Sequence, residues 1–129
     1  MKVFVYGTLK KGFGNHALLE TAKFIKEATT DGQFVMYERW FPYIIPVHYP
    51  LSDEESRAAG RVVGEVYEIN EGHLADLDGL EGEGYFYERV KVEVGEESMY
   101  AYQMIRENHP KYKEDFTLVR PNTNRLLEF

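Results

Sequence analysis

A chain of 129 residues with 43% hydrophobic and 29% charged side chains has the composition of one globular domain, long enough to bury a core. Its net charge of −7 lacks the basic footprint that nucleic acid requires, and no apolar stretch reaches the length of a membrane span. The absence of cysteine excludes disulfides, thiolate metal sites and a cysteine nucleophile.

Val3, Phe4 and Val5 form an unbroken apolar run, which predicts a strand covered on both faces. Met1-Lys2-Val3 is too short and too strand-like for a signal peptide, so the expected compartment is the cytoplasm. Tyr6-Gly7-Thr8-Leu9 breaks the strand, and Gly7 allows a sharp turn with nothing in the way of a ligand. A buried strand feeding a glycine-bearing loop is one way to aim backbone N–H groups at an anion; an ordinary strand-to-helix turn is the other reading. Asn15 is placed to cap a short helix from His16 to Glu20.

Residues 22–28 are ambiguous between helix and strand and are assigned as strand, because Asp31-Gly32 follows as a turn signal before a second strand over 33–38. Pro42 and Pro46 bracket Tyr43-Ile44-Ile45, which excludes either proline from the middle of a sheet. Residues 51–59 read as an exposed polar excursion, and Arg61 to Ile69 as a core strand in which Gly64 marks a bulge or a close backbone approach. Asn70 caps a helix that Gly82 ends, with Leu74, Leu77, Asp78 and Glu81 on one stripe. Tyr85 to Val94 and Ser98 to Arg106 make a hairpin. The tail from Glu107 has no clear period and is expected to wrap the surface, anchored by Phe116, Leu118 or Val119.

Periodicity singles out Asp78 and Glu81 as candidates for chemistry. A carboxylate carried inward on an apolar stripe loses hydration, which raises its pKa and makes it a usable base near neutral pH. The alternative is a helix that stops at Leu80 and leaves Glu81 in solvent, or an Asp78 that serves a local cap. Glu65, Glu83 and Glu88 are weaker competitors. The four histidines have no metal-ligand spacing and read as surface residues. Gly12-Phe13-Gly14 lacks the features of a phosphate loop, and no serine sits in a nucleophile elbow.

Four blocks in order carry a family resemblance. Val3 to Gly12 with Asn15-His16, Gly64-Glu65-Val66-Tyr67-Glu68-Ile69, Leu77-Asp78-Gly79-Leu80-Glu81-Gly82, and Tyr87-Glu88-Arg89-Val90-Lys91-Val92 together resemble the gamma-glutamylcyclotransferase-like (AIG2-like) family. The resemblance implies a mixed α+β fold: a small six-stranded β-barrel, closed or nearly so, with a few short helices and a cavity at one end. It implies a small-molecule gamma-glutamyl substrate, cleaved to 5-oxoproline and a free amine, with no metal or other cofactor. Glu81 matches the family's catalytic acid, and Tyr6, Gly7, Thr8 and Leu9 match the loop that holds the glutamyl end. The leaving amine and the oligomeric state are not specified, since residues 51–59 and the tail lie outside the matching blocks. A pocket that binds such ligands without chemistry is the competing expectation.

Overall fold

The computed structural model describes residues 1–129. β1 (Lys2–Val5) runs through the centre of the molecule, with Val3, Phe4 and Val5 all buried, so the unbroken apolar run is indeed covered on both faces. A single 3₁₀ turn (His16–Leu19) leads to β2 (Lys23–Glu38) and β3 (Pro42–Pro46). α1 (Asp53–Arg57) precedes β4 (Gly60–Glu68), and α2 (Glu71–Glu81) follows it. β5 (Tyr87–Val94) and β6 (Glu97–Met104) form the expected hairpin, with Tyr85 left exposed ahead of it. α3 (His109–Tyr112) and two short strands, β7 (Thr117–Leu118) and β8 (Leu126–Leu127), complete the chain.

The sheet order is β3-β2-β4-β1-β6-β5, with β7 added to β2 and β8 to β4. The sheet curls into a barrel-like shell that hydrogen bonds do not close between β3 and β5. Side chains bridge that side instead: the Tyr87 hydroxyl donates to the Pro42 carbonyl at 2.5 Å, and the Tyr49 hydroxyl to the Met104 carbonyl at 3.1 Å. Pro42 and Pro46 therefore occupy an edge strand, where a missing N–H disrupts no ladder. Each of the six main strands contributes a side chain, among them Phe4, Met36, Ile44, Val66, Val92 and Met99, to one apolar cluster, the barrel interior. The opposite face, with Val3, Val35, Tyr43, Tyr67 and Tyr102, is packed against Leu19 and, from α2, Leu77.

Several expectations need correction. Asp31-Gly32 is no chain reversal. Residues 23–38 are one strand whose pairing with β4 shifts between Thr29 and Gln33. The Asp31 carboxylate instead accepts from the amides of Gly95 and Glu96, both at 2.7 Å, and so holds the β5–β6 turn, where both residues have positive φ. Gly64 is a site of close approach and not a bulge: a Cβ there would lie 2.4 Å from the Val5 carbonyl and 2.6 Å from the Phe4 ring.

Residues 51–59 are not simply exposed. Ser52 and Glu55 form a reciprocal capping box, and the Glu55 side chain then turns inward, leaving the residue only 3% exposed. There the Tyr37 hydroxyl donates to it at 2.6 Å, and His109 Nε2 lies 2.9 Å away. His109 is accordingly buried, contrary to the surface reading, and its Nδ1 is 2.9 Å from the Tyr43 hydroxyl. The tail is anchored by more than the three expected side chains, since β8 pairs with β4 and Leu127 is fully buried.

Candidate active site

Where β1 ends, the chain turns past one end of the barrel as the loop Tyr6–Leu9. Three of its carbonyls are tied back to the chain: Gly7 accepts from the Lys10 amide at 3.0 Å and Thr8 from the Asn15 amide at 3.0 Å, while His16 Nδ1 lies 3.1 Å from the Leu9 carbonyl. The amides of Gly7, Thr8 and Leu9 donate to no group of the protein. A loop with its acceptors tied back and its donors free is a cradle for an anion. Asn15 does not cap the 3₁₀ turn. Its Nδ2 donates to Thr8 Oγ1 at 2.8 Å, which braces the loop and leaves the Thr8 hydroxyl proton free to donate in turn. Gly7 is required less for turning than for space, because a Cβ would sit 2.9 Å from the Pro42 ring.

Facing this loop is the C-terminal end of α2. The helix begins at the Asn70 cap, buries Leu77, and stops at Gly82, whose φ of 58° is left-handed. Glu81 is its last residue. That helix end lies against a cavity of about 450 Å³ whose wall includes Glu81 and all four loop residues, Tyr6, Gly7, Thr8 and Leu9. No protein group donates a hydrogen bond to the Glu81 carboxyl. Burial without a partner raises its pKa from the usual 4.5 to about 7.

Tyr6, Tyr87 and Tyr102 also line the cavity. Burial drives up the pKa of all three phenols, and the Glu81 charge adds to the effect, so each stays neutral. Each hydroxyl is already engaged. Tyr6 donates to the Tyr102 carbonyl at 2.8 Å, Tyr87 to Pro42, and Tyr102 to Asp78 Oδ1 at 2.5 Å. They are fixed walls and not spare acids.

Asp78 does not share Glu81's situation. It is half-buried, accepts from Tyr102 and pairs with Arg89, so both of its oxygens have partners. The other acids are also committed or outside. Glu65 accepts from the Lys11 amide and Tyr67, Glu88 from Gln103, and Glu83 is exposed.

Residues 3–118 match the family described as "Gamma-glutamyl cyclotransferase, AIG2-like", a stretch that contains every residue lining the cavity. The chain belongs to this family. A Methanocaldococcus jannaschii protein bearing the provisional name of a gamma-glutamylcyclotransferase is 40% identical over 93 residues, 71% of this chain and 70% of that one. The gamma-glutamylcyclotransferase family protein YtfP of Escherichia coli is 30% identical over 105 residues, 80% of this chain and 83% of its own. Its solution structure superposes with a TM-score of 0.61 over 93% of this chain and 92% of YtfP, at 26% identity. The crystal structure of an AIG2-like protein from Mus musculus gives a TM-score of 0.64 at 27% identity, covering 81% of this chain and 77% of that one.

Two parts of this cyclotransferase-family site are absent from the sequence reading. Trp40 and Phe41, in the turn between β2 and β3, line the cavity together with Leu80 and Phe86. The pair falls between the strand expected over 33–38 and Pro42, where no local pattern points to a pocket. The second is Asn15, whose side chain reaches seven residues back, where a local capping rule looks forward.

Proposed function

We propose that the protein is a gamma-glutamylcyclotransferase that converts a gamma-glutamyl amine or gamma-glutamyl amino acid to 5-oxoproline and the free amine, with Glu81 as the proton carrier. The observation that carries this reading is the unpartnered Glu81 carboxyl, poised near pH 7, in the same cavity as the free amides of Gly7, Thr8 and Leu9.

The substrate's α-carboxylate would lie on those amides, with the Thr8 hydroxyl as a further donor. The α-ammonium group cannot attack a carbonyl until it loses a proton, and the ionised Glu81 accepts it. The freed amine nitrogen then bonds to the γ-carbonyl carbon and closes a five-membered ring. Collapse of that adduct breaks the bond to the departing nitrogen, which takes its proton from the Glu81 carboxylic acid. In all, the attacking nitrogen gives up two protons and the departing amine takes up two, so none is consumed. Both reacting groups belong to one molecule, and fixing its conformation supplies much of the rate.

Glu81→Gln keeps the shape of the side chain and removes the base. It is expected to lower kcat for 5-oxoproline release by about 10²–10⁴-fold, the range for loss of a general base, with the circular dichroism spectrum unchanged. Full activity in that variant would contradict the assignment.

A further inference from the structure

Outside the glutamyl cradle the cavity changes character. Of the residues that line it, Glu81 alone is charged, and of the polar ones Thr8 belongs to the loop and Asn15 braces it. The rest of the wall is mostly apolar and includes Trp40, Phe41, Leu80 and Phe86. Trp40 is 68% exposed and Leu80 41% exposed although both line the cavity, so they stand at its mouth, one on the β2–β3 turn and one on α2. A tryptophan left this open to water is unfavourable unless something covers it. Its position is also fixed. The turn is short, the Arg39 amide bonds to the Phe41 carbonyl at 3.0 Å, and the Arg39 guanidinium lies 4.2 Å from the Trp40 ring centroid. Phe41 packs edge-on to Phe86 at 5.9 Å and to Phe116 at 5.3 Å. A glutamyl group fills only part of a cavity of about 450 Å³.

We infer that this aromatic mouth is the leaving-group subsite, and that the amine released there is uncharged apart from its reacting nitrogen and carries an apolar ring. The inference rests on the cyclotransferase reading and deepens it. A ring between Trp40 and Leu80 would cover the apolar surface now open to water. A carboxylate on the leaving group, as in a gamma-glutamyl amino acid, finds no cation among the residues that line the cavity, and the nearest one, the Arg39 guanidinium, is stacked on the Trp40 ring outside that lining. The zwitterionic end of a lysine linked through its side chain fits it no better.

The test compares gamma-glutamylphenethylamide, gamma-glutamylphenylalanine and gamma-glutamyl-ε-lysine, the first two differing only by a carboxylate. Initial rates of 5-oxoproline release should rank in that order, with kcat/KM for the amide at least about tenfold above that for the phenylalanine compound. Trp40→Ala should lower kcat/KM for both ring-bearing compounds by about tenfold and that for the lysine compound by less, because the ring no longer has its platform. Trp40 is the sole tryptophan, so its fluorescence reads occupancy of the mouth without turnover. In the Glu81→Gln protein, the amide should shift its emission at concentrations where the lysine compound does not. A preference for the phenylalanine or lysine compound, or an emission unmoved by the amide, would overturn the apolar subsite and leave the cyclotransferase reading intact. Failure of all three to yield 5-oxoproline would contradict the cyclotransferase reading itself, and the preference with it.

Discussion

At the scale of the residue, Glu81 holds a proton that an ordinary glutamate would have released. Its pKa is raised by burial from 4.5 to about 7, so between those values the folded protein binds a proton that the unfolded chain does not. Stability is therefore greatest below about pH 4.5 as far as this group is concerned, and is lost as pH rises through 7. Glu81→Gln removes that dependence. It should be more stable than the parent at pH 8 by up to about 3 kcal/mol, and the difference should shrink towards pH 5, as read by urea unfolding at the two pH values. An equal difference at both would mean that the carboxyl is not desolvated. Gaining stability while losing the base is the trade expected of a group kept for chemistry. The stripe of Leu74, Leu77, Asp78 and Glu81 made two acids visible in the sequence but could not divide their duties. What separates them is Tyr102 and Arg89, partners from other strands that satisfy Asp78 and leave Glu81 alone.

At the scale of the element, β1 and β4 bring the cradle to the cavity, and their close packing depends on Gly64. A methyl group there would meet a backbone carbonyl and the Phe4 ring, neither of which can swing aside. Gly64→Ala should cost about 3 kcal/mol by equilibrium unfolding, the upper range for overpacking. A loss below about 0.5 kcal/mol would show that the two strands are free to separate. Both strands and the helix between β4 and β5 were legible because apolar periodicity, the Asn70 cap and Gly82 all agree locally. β2 was read as two strands because Asp31-Gly32 has turn chemistry. In the fold, the Asp31 carboxylate is used by a turn more than sixty residues away, a pairing that no local pattern encodes.

At the scale of the whole molecule, the tail and the 51–59 segment are tied to the barrel by one buried cluster. Burial alone would lift the Glu55 pKa, but donors from Tyr37, the Ser52 amide and His109 outweigh it and lower the pKa to about 2. This group therefore contributes stability above about pH 4.5 that is lost as pH falls towards 2. His109→Ala would leave the Glu55 carboxylate and the Tyr43 hydroxyl each one partner short. It should destabilise the protein by about 3 kcal/mol in thermal unfolding, against a few tenths for the exposed His48→Ala. The sequence hid this cluster because a glutamate in an acidic run and a histidine before a proline look like surface residues until the fold brings them together. The helix and the first strand follow from residues that contact their own neighbours, while the barrel and the glutamyl cradle follow from the family resemblance. The aromatic mouth and the buried cluster needed the third dimension.

The pH dependence of kcat/KM for 5-oxoproline release tests most directly whether the buried carboxyl is the base. The rate should rise with a single acidic limb centred near pH 7, the value to which burial moves Glu81, and level off above it. A limb centred near 4.5, or a rate constant from pH 5 to pH 8, would contradict the role assigned to Glu81.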